Sequence, residues 1–187
     1  MSYPVLGQLH PETFKIMDDI KKGLKYLFQT FNPLTLCVSG PGHAGMETAF
    51  CNLIEEGDVV LICITGIWGE RAADMARRQG ADVRLLHGTP GTIITLFDAK
   101  EYIEIHKPSI FFIAHGESST GVLQPLEGLG SLCQANNCLL VVDAVITLGA
   151  VRFYTDAWKI DVAYSGSQKV LNAPPGITPI TFSTRAM

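Results

Sequence analysis

Leu34-Thr35-Leu36-Cys37-Val38, the window 44–55, Val59-Val60-Leu61-Ile62-Cys63-Ile64, the window 68–79 and Val83-Arg84-Leu85-Leu86 follow one another along the chain, and their alternation decides the fold. Short apolar runs bounded by turn residues are strand-like, and the windows between them are of helical length. The order βαβαβ predicts a mostly parallel sheet covered by helices. On the amino-terminal side, Phe14, Met17, Ile20, Leu24, Leu27 and Phe28 recur at spacings of three and four within 12–30, the stripe of an amphipathic helix that begins after Pro11. On the carboxyl side, near-continuous apolar runs at 110–114 and 139–142 suit strands buried on both faces. Helices are predicted at 98–106 and 126–136, and further strands at 162–165 and 177–182. The fold class expected is α/β, a three-layer αβα arrangement forming one domain over residues 1–187.

Composition bounds what such a domain does. The 187 residues carry a formal net charge of −4, with 47% hydrophobic and 17% charged residues. A chain of this length buries roughly 70% of the surface its unfolded form exposes, so its core needs no disulfide or metal staple. The acidic balance leaves no basic field for nucleic acid. Cys37, Cys51, Cys63, Cys133 and Cys138 are odd in number, show no paired zinc spacing and sit mostly among apolar neighbours, which predicts buried free thiols in a reducing compartment. The opening Met-Ser-Tyr-Pro-Val-Leu-Gly has neither a basic region nor an apolar core for export, and no run reaches about 18 apolar residues, so neither a leader nor a membrane span is expected.

Ligands of such sheets collect beyond the carboxyl ends of the strands. The loops at 39–45, 65–69, 115–121, 143–149 and 165–175 are therefore the ones to inspect. Gly40-Pro41-Gly42-His43-Ala44-Gly45 fits G-x-G-x-x-G between a strand and a helix, which makes a dinucleotide-binding domain one alternative. The second strand, however, ends in Thr65-Gly66, where that alternative wants an acidic side chain for the ribose. A general anion site at a helix amino terminus, or a tight turn needing glycine, both remain open.

Three further residues carry chemistry. Asp143 closes the run Leu-Leu-Val-Val, placing a carboxylate at the end of a buried strand, where it needs a cationic partner or else caps the next turn. Lys169 lies among small and turn-forming residues at the same sheet edge, a setting in which burial lowers a lysine pKa and frees the amine to attack a carbonyl. Trp68 directly follows the second strand, where its indole either stacks on a ligand or plugs the core. A lysine for an aldehyde, a carboxylate for a ring nitrogen, an aromatic plate and a helix amino terminus for a phosphate together describe a pyridoxal phosphate site.

At these residues the chain closely resembles the alanine–glyoxylate and serine–pyruvate aminotransferases of the class V, fold-type I pyridoxal phosphate enzymes. The likeness runs along nearly the whole sequence. It is most specific at Asn32-Pro33-Leu34-Thr35-Leu36, Gly66-Ile67-Trp68-Gly69, His115-Gly116-Glu117-Ser118-Ser119-Thr120-Gly121 with Val122-Leu123-Gln124-Pro125, and Tyr164-Ser165-Gly166-Ser167-Gln168-Lys169 with Leu171-Asn172-Ala173-Pro174-Pro175-Gly176 behind it. The resemblance implies that Lys169 is the catalytic Schiff-base lysine, that Asp143 partners the pyridine nitrogen and that Trp68 stacks on the ring. It places Gly42, His43 and Gln168 at the phosphate, Ser118 against the cofactor, and Val145 on the ring face opposite Trp68. The implied reaction is a ping-pong transamination in which alanine or serine gives its amino group to glyoxylate, with Lys169 moving the α-proton as base and then acid. A homodimer, and a peroxisomal or cytoplasmic location, are implied as well.

Some positions depart from the family pattern. Pro41 stands where relatives carry a small residue such as serine, and it removes a backbone donor and a hydroxyl from the phosphate cup. Ala144 and Thr147 beside Asp143 are smaller variations. By the resemblance, the family's amino-terminal arm and its carboxyl-terminal small domain, which supplies the arginine for the substrate carboxylate, are expected to be missing from these 187 residues. None of Arg71, Arg77, Arg78, Arg84, Arg152 and Arg185 matches that arginine. Weak transamination is therefore expected of this chain, and the alternative is an inactive cofactor-binding or dimerisation fragment. A serine hydrolase is disfavoured because Gly116-Glu117-Ser118-Ser119-Thr120 ends in Thr where the elbow needs Gly. A metal site is disfavoured because His10, His43, His87, His106 and His115 are scattered singly.

Overall fold

Along β2 (Val59–Ile64), Val60, Ile62 and Ile64 pack into one hydrophobic cluster while Leu61 and Cys63 pack into a second. Successive strand side chains point to opposite faces, so a strand that is apolar throughout must be covered on both. The computed structural model describes residues 5–187 and shows this arrangement. The first four residues, part of the stretch expected to lack an export signal, lie outside the described residues.

The remaining elements are α1 (Pro11–Phe28), β1 (Leu34–Ser39), α2 (Gly42–Leu53), α3 (Ile67–Arg78), β3 (Asp82–His87), α4 (Leu96–His106), β4 (Ile110–Ala114), β5 (Gly116–Glu117), β6 (Val122–Leu123), α5 (Leu129–Ala135), β7 (Leu139–Asp143), β8 (Val162–Tyr164), β9 (Ile177–Phe182) and a 3-10 turn at Thr184–Ala186. Seven strands form one sheet in the order β1-β9-β8-β7-β4-β2-β3. Residues of α2 and α3 contribute to the cluster on one face, and residues of α1, α4 and α5 to the cluster on the other. The three-layer αβα class read from sequence is the one observed. No helix among the described residues is long and apolar enough to cross a membrane.

The pairing differs from the simplest βαβαβ expectation in one respect that matters. β2 pairs in parallel with β3, as expected of neighbours joined by a helix. β1 does not pair with β2; it lies at the far edge, bonded antiparallel to β9, and α2 carries the chain across the sheet. β9 is also antiparallel to β8, which makes it the one reversed strand of the sheet. A dinucleotide fold needs its first strand central and beside the second. The observed order therefore removes the NAD alternative that the glycine pattern at 40–45 had kept open.

Smaller differences have local causes. α5 begins at Leu129, later than the expected 126, because Gly128 sits at φ 88 and Leu126 is buried ahead of the turn. The short β5–β6 hairpin was not anticipated, since two-residue strands leave no periodicity. Of the apolar stripe on α1, only Leu24 and Phe28 are buried, whereas Phe14, Met17 and Ile20 remain 49%, 49% and 42% exposed. Cys63, Cys133 and Cys138 are buried free thiols as expected, Cys37 is half-buried, and Cys51 is exposed.

Candidate active site

Parity along β7 sets the position of the site. Leu139 and Val141 face the α2–α3 layer, and Asp143, two residues further, continues that face at the carboxyl end of the strand. It stands in register with Ala114 on β4 and Tyr164 on β8. Tyr164 donates its hydroxyl to Asp143 Oδ2 at 2.8 Å, and the Val145 N–H donates to Oδ1 at 2.9 Å. No lysine, arginine or histidine among the described residues forms an ion pair with this carboxylate. Burial accordingly pushes its pKa up to about 6, the two hydrogen bonds opposing and the Glu117 charge adding to the rise. The turn-capping role expected of Asp143 is thus present, and the cation it calls for is not part of the described chain.

Above Asp143, the loop from β1 to α2 closes one side. Gly40 adopts φ 143, its N–H bonds Gly176 O at 2.8 Å, and its carbonyl accepts from Thr178 Oγ1 at 2.9 Å. The turn is thereby tied to the start of β9. No side chain caps α2, so its first-turn amides at Gly42 and His43 are free to meet an anion. A Cβ on Gly42 would come within 2.9 Å of Val145 Cγ2, so glycine is what lets this turn and the Asp143–Val145 turn approach. Pro41, at the helix cap, contributes no N–H.

Trp68 enters from the first turn of α3. Its indole Nε1–H donates to Ser118 Oγ at 2.7 Å, and its ring meets His43 edge-on, 5.4 Å between centroids. Pro41, Gly42, His43, Met46, Trp68, Gly116, Ser118, Asp143, Val145, Ile146, Gln168 and Lys169 together line one cavity of about 130 Å³. All eight residues singled out from the sequence therefore converge. One detail differs from expectation, since Lys169 is exposed at the rim, not buried; Gln168 Oε1 is buried with no hydrogen-bond partner among the described residues. Sequence reasoning missed Tyr164, Glu117, Met46 and Ile146; a buried tyrosine in a strand carries no signal beyond that of core, and the others are brought in only by tertiary contact.

The donor set suits a flat group with a cation at one end, an anion at the other and a carbonyl near the lysine. A protonated ring nitrogen would neutralise Asp143, the free amides of α2 offer donors to an anion, and Gln168 and the Lys169 amine border the same space. No grouping of histidine, cysteine and carboxylate among the described residues could hold a metal ion.

A pocket at the carboxyl ends of a mostly parallel seven-stranded sheet between helical layers matches the architecture of the fold-type I pyridoxal phosphate aminotransferases. The Aminotransferase class-V model matches residues 5–187, and the chain belongs to that family, whose cofactor is pyridoxal phosphate. It is 54% identical over 188 residues to the alanine–glyoxylate aminotransferase of Drosophila melanogaster, covering 100% of this chain and 48% of the relative. The Rattus norvegicus alanine–glyoxylate aminotransferase is 55% identical over 185 residues, covering 99% and 45%. Among solved structures, the alanine–glyoxylate aminotransferase from Nostoc sp. superposes with TM-score 0.97 at 47% identity, covering 98% of this chain and 49% of that one. The ureidoglycine–glyoxylate aminotransferase from Bacillus subtilis also gives TM-score 0.97, at 39% identity over 99% and 48% of the two chains. The chain spans about half the length of the curated relatives it matches.

Proposed function

We propose that this chain holds pyridoxal phosphate for a transamination in which alanine, or serine, gives its amino group to glyoxylate, leaving the 2-oxo acid and glycine. The observation that carries the reading is the buried Asp143 carboxylate, which pairs with no cation among the described residues, in a pocket bordered by Lys169. Glyoxylate as acceptor is supported by the names of relatives that differ in donor, alanine in one and ureidoglycine in the other. Alanine is supported by the higher identity, 54% against 40%.

Bound there, the cofactor supplies a carbonyl for covalent attachment and an electron sink for the bond broken at the substrate α-carbon. The residues of the chain do the rest. Asp143 would accept from a protonated ring nitrogen and keep it charged, while the Tyr164 hydroxyl steadies the carboxylate. Trp68 and Val145, which both line the cavity, would pack against the ring. Gly42, His43 and Gln168 would hold the phosphate, and Ser118 fixes the indole. The Lys169 amine would be the attachment point, and as a free amine it would be the base and acid that moves the substrate α-proton.

Among the described residues the pocket lining contains no arginine, the side chain whose planar fork grips a carboxylate bidentately. We therefore expect this chain, assayed by itself, to bind cofactor and turn over slowly, and this same observation favours the second reading, a cofactor-binding or dimerisation module without turnover. A homodimer is part of the proposal, supported by the apolar face of α1 that Phe14, Met17 and Ile20 leave in solvent; size-exclusion chromatography with and without cofactor tests it. Incubation with pyridoxal phosphate, borohydride reduction and peptide mapping should place the adduct on Lys169. An unlabelled Lys169 would sink the cofactor assignment, and formation of pyruvate from alanine and glyoxylate at the full family rate would sink the expectation of slow turnover.

A further inference from the structure

Glu117 is 1% exposed, and no lysine, arginine or histidine among the described residues forms an ion pair with it. Its carboxylate accepts from three donors. Oε2 takes the backbone N–H of Trp68 at 3.1 Å, and Oε1 takes both the N–H and the hydroxyl of Ser119, at 3.0 and 2.6 Å. Ser119 Oγ in turn accepts from the Ile67 N–H at 3.2 Å. These two amides open α3, whose own cap residue, Gly66, offers no side chain. A Cβ on Gly66 would fall 2.4 Å from Glu117 Cδ and 2.4 Å from Ser119 Oγ, so the glycine is what lets the two segments close on each other.

The helix that carries Trp68 is thus capped from a different part of the chain, and the negative charge is compensated by the α3 amino terminus. The adjacent residue, Ser118, grips the other end of the same tryptophan by accepting from the indole Nε1–H. One short segment holds Trp68 at backbone and ring, and that segment is fixed in turn by the β5–β6 pairing of Gly116 with Leu123 and Glu117 with Val122.

We infer that Glu117 is a positioning residue: through the Trp68 amide and the Ser118 next to it, it sets the orientation of the indole that walls the cofactor pocket. The inference rests on the function proposed above for its consequence, though not for its geometry. It also carries a chemical requirement. Every partner of the carboxylate is a donor, so both oxygens must accept, and an amide would turn its NH₂ toward an N–H or O–H. Glutamine, nearly isosteric, is therefore a poor replacement, whereas aspartate keeps the acceptors and shortens the reach.

The chain has two tryptophans, Trp68 and Trp158, so 15N-tryptophan labelling gives two backbone and two indole signals, assigned with Trp158→Phe. In protein without cofactor, Glu117→Gln should speed hydrogen exchange at both the backbone and the indole N–H of Trp68 by tenfold or more, leaving Trp158 unchanged. Ser118→Ala should speed only the indole, and Glu117→Asp should fall between wild type and Gln. Pyridoxal phosphate affinity, read by absorbance titration, should drop about tenfold in Glu117→Gln. Unchanged Trp68 signals, equal acceleration at Trp68 and Trp158, or an unchanged affinity each overturn the inference. If the wild-type chain fails to bind the cofactor at all, the proposed function falls, and the Trp68 signals still decide whether Glu117 holds the indole.

Discussion

Burial drives the Asp143 carboxyl to about 6, and the Val145 N–H and Tyr164 O–H offset only part of that rise. A carboxyl with a pKa raised on folding favours the folded state when protonated, and this contribution is lost as pH rises through about 6. At pH 8 the charge thus works against the fold by roughly 3 kcal/mol, about two pKa units at 1.36 kcal/mol each. Asp143→Asn should therefore melt several degrees higher than wild type at pH 8 without cofactor, yet bind pyridoxal phosphate at least tenfold more weakly; a lower melting temperature at pH 8 would count against the uncompensated charge. Lys169→Ala should abolish borohydride trapping while leaving the melting temperature within about a degree, because the side chain is exposed at the rim. The lysine, the aspartate and the indole were legible in the sequence because each sits at a recognisable strand end or turn. Tyr164 was not: its place beside Asp143 depends on the register of β8 against β7, across 21 residues of sequence.

Elements meet here through glycines as much as through apolar side chains. A Cβ on Gly69 would lie 2.3 Å from the Cys63 carbonyl oxygen, a backbone atom of β2 that cannot swing aside, so α3 would have to lift from the sheet. Gly69→Ala should cost about 3 kcal/mol, a fall of roughly 10 °C in melting temperature, measurable by calorimetry. At the start of α2, Pro41→Ser restores an N–H and adds a hydroxyl to the anion cup. One hydrogen bond of about 1 kcal/mol corresponds to a roughly fivefold gain in pyridoxal phosphate affinity, and an unchanged value would place the phosphate away from α2. The helices and central strands were readable from periodicity, which is local. The reversal of β9, the edge position of β1 and the β5–β6 hairpin were not, because strand order and direction depend on partners far along the chain.

Across the whole molecule two buried groups titrate against each other. Burial lowers His115 to about 4, with the Glu127 charge opposing, so its contribution to stability is present above the ordinary histidine value and lost as pH falls through about 4. Asp143 has the opposite sign over nearly the same range. Chemical denaturation between pH 4 and 7 should give a shallow profile for wild type. Asp143→Asn should unmask a steep one, losing about 3 kcal/mol toward pH 4; a shallow profile in that variant would show that His115 is not held neutral by the fold. The sheet edge also bears on how the molecule is made. Thr35 and Thr181 share a hydrogen bond across 146 residues of sequence, and among the described residues β1 pairs with β9 alone. On a ribosome that builds the chain from its amino terminus, β1 emerges as an unpaired apolar strand and stays so until β9 has been synthesised, while β2, β3 and β4 can already associate. This long wait makes β1 the segment most exposed to capture by chaperones or by another nascent chain.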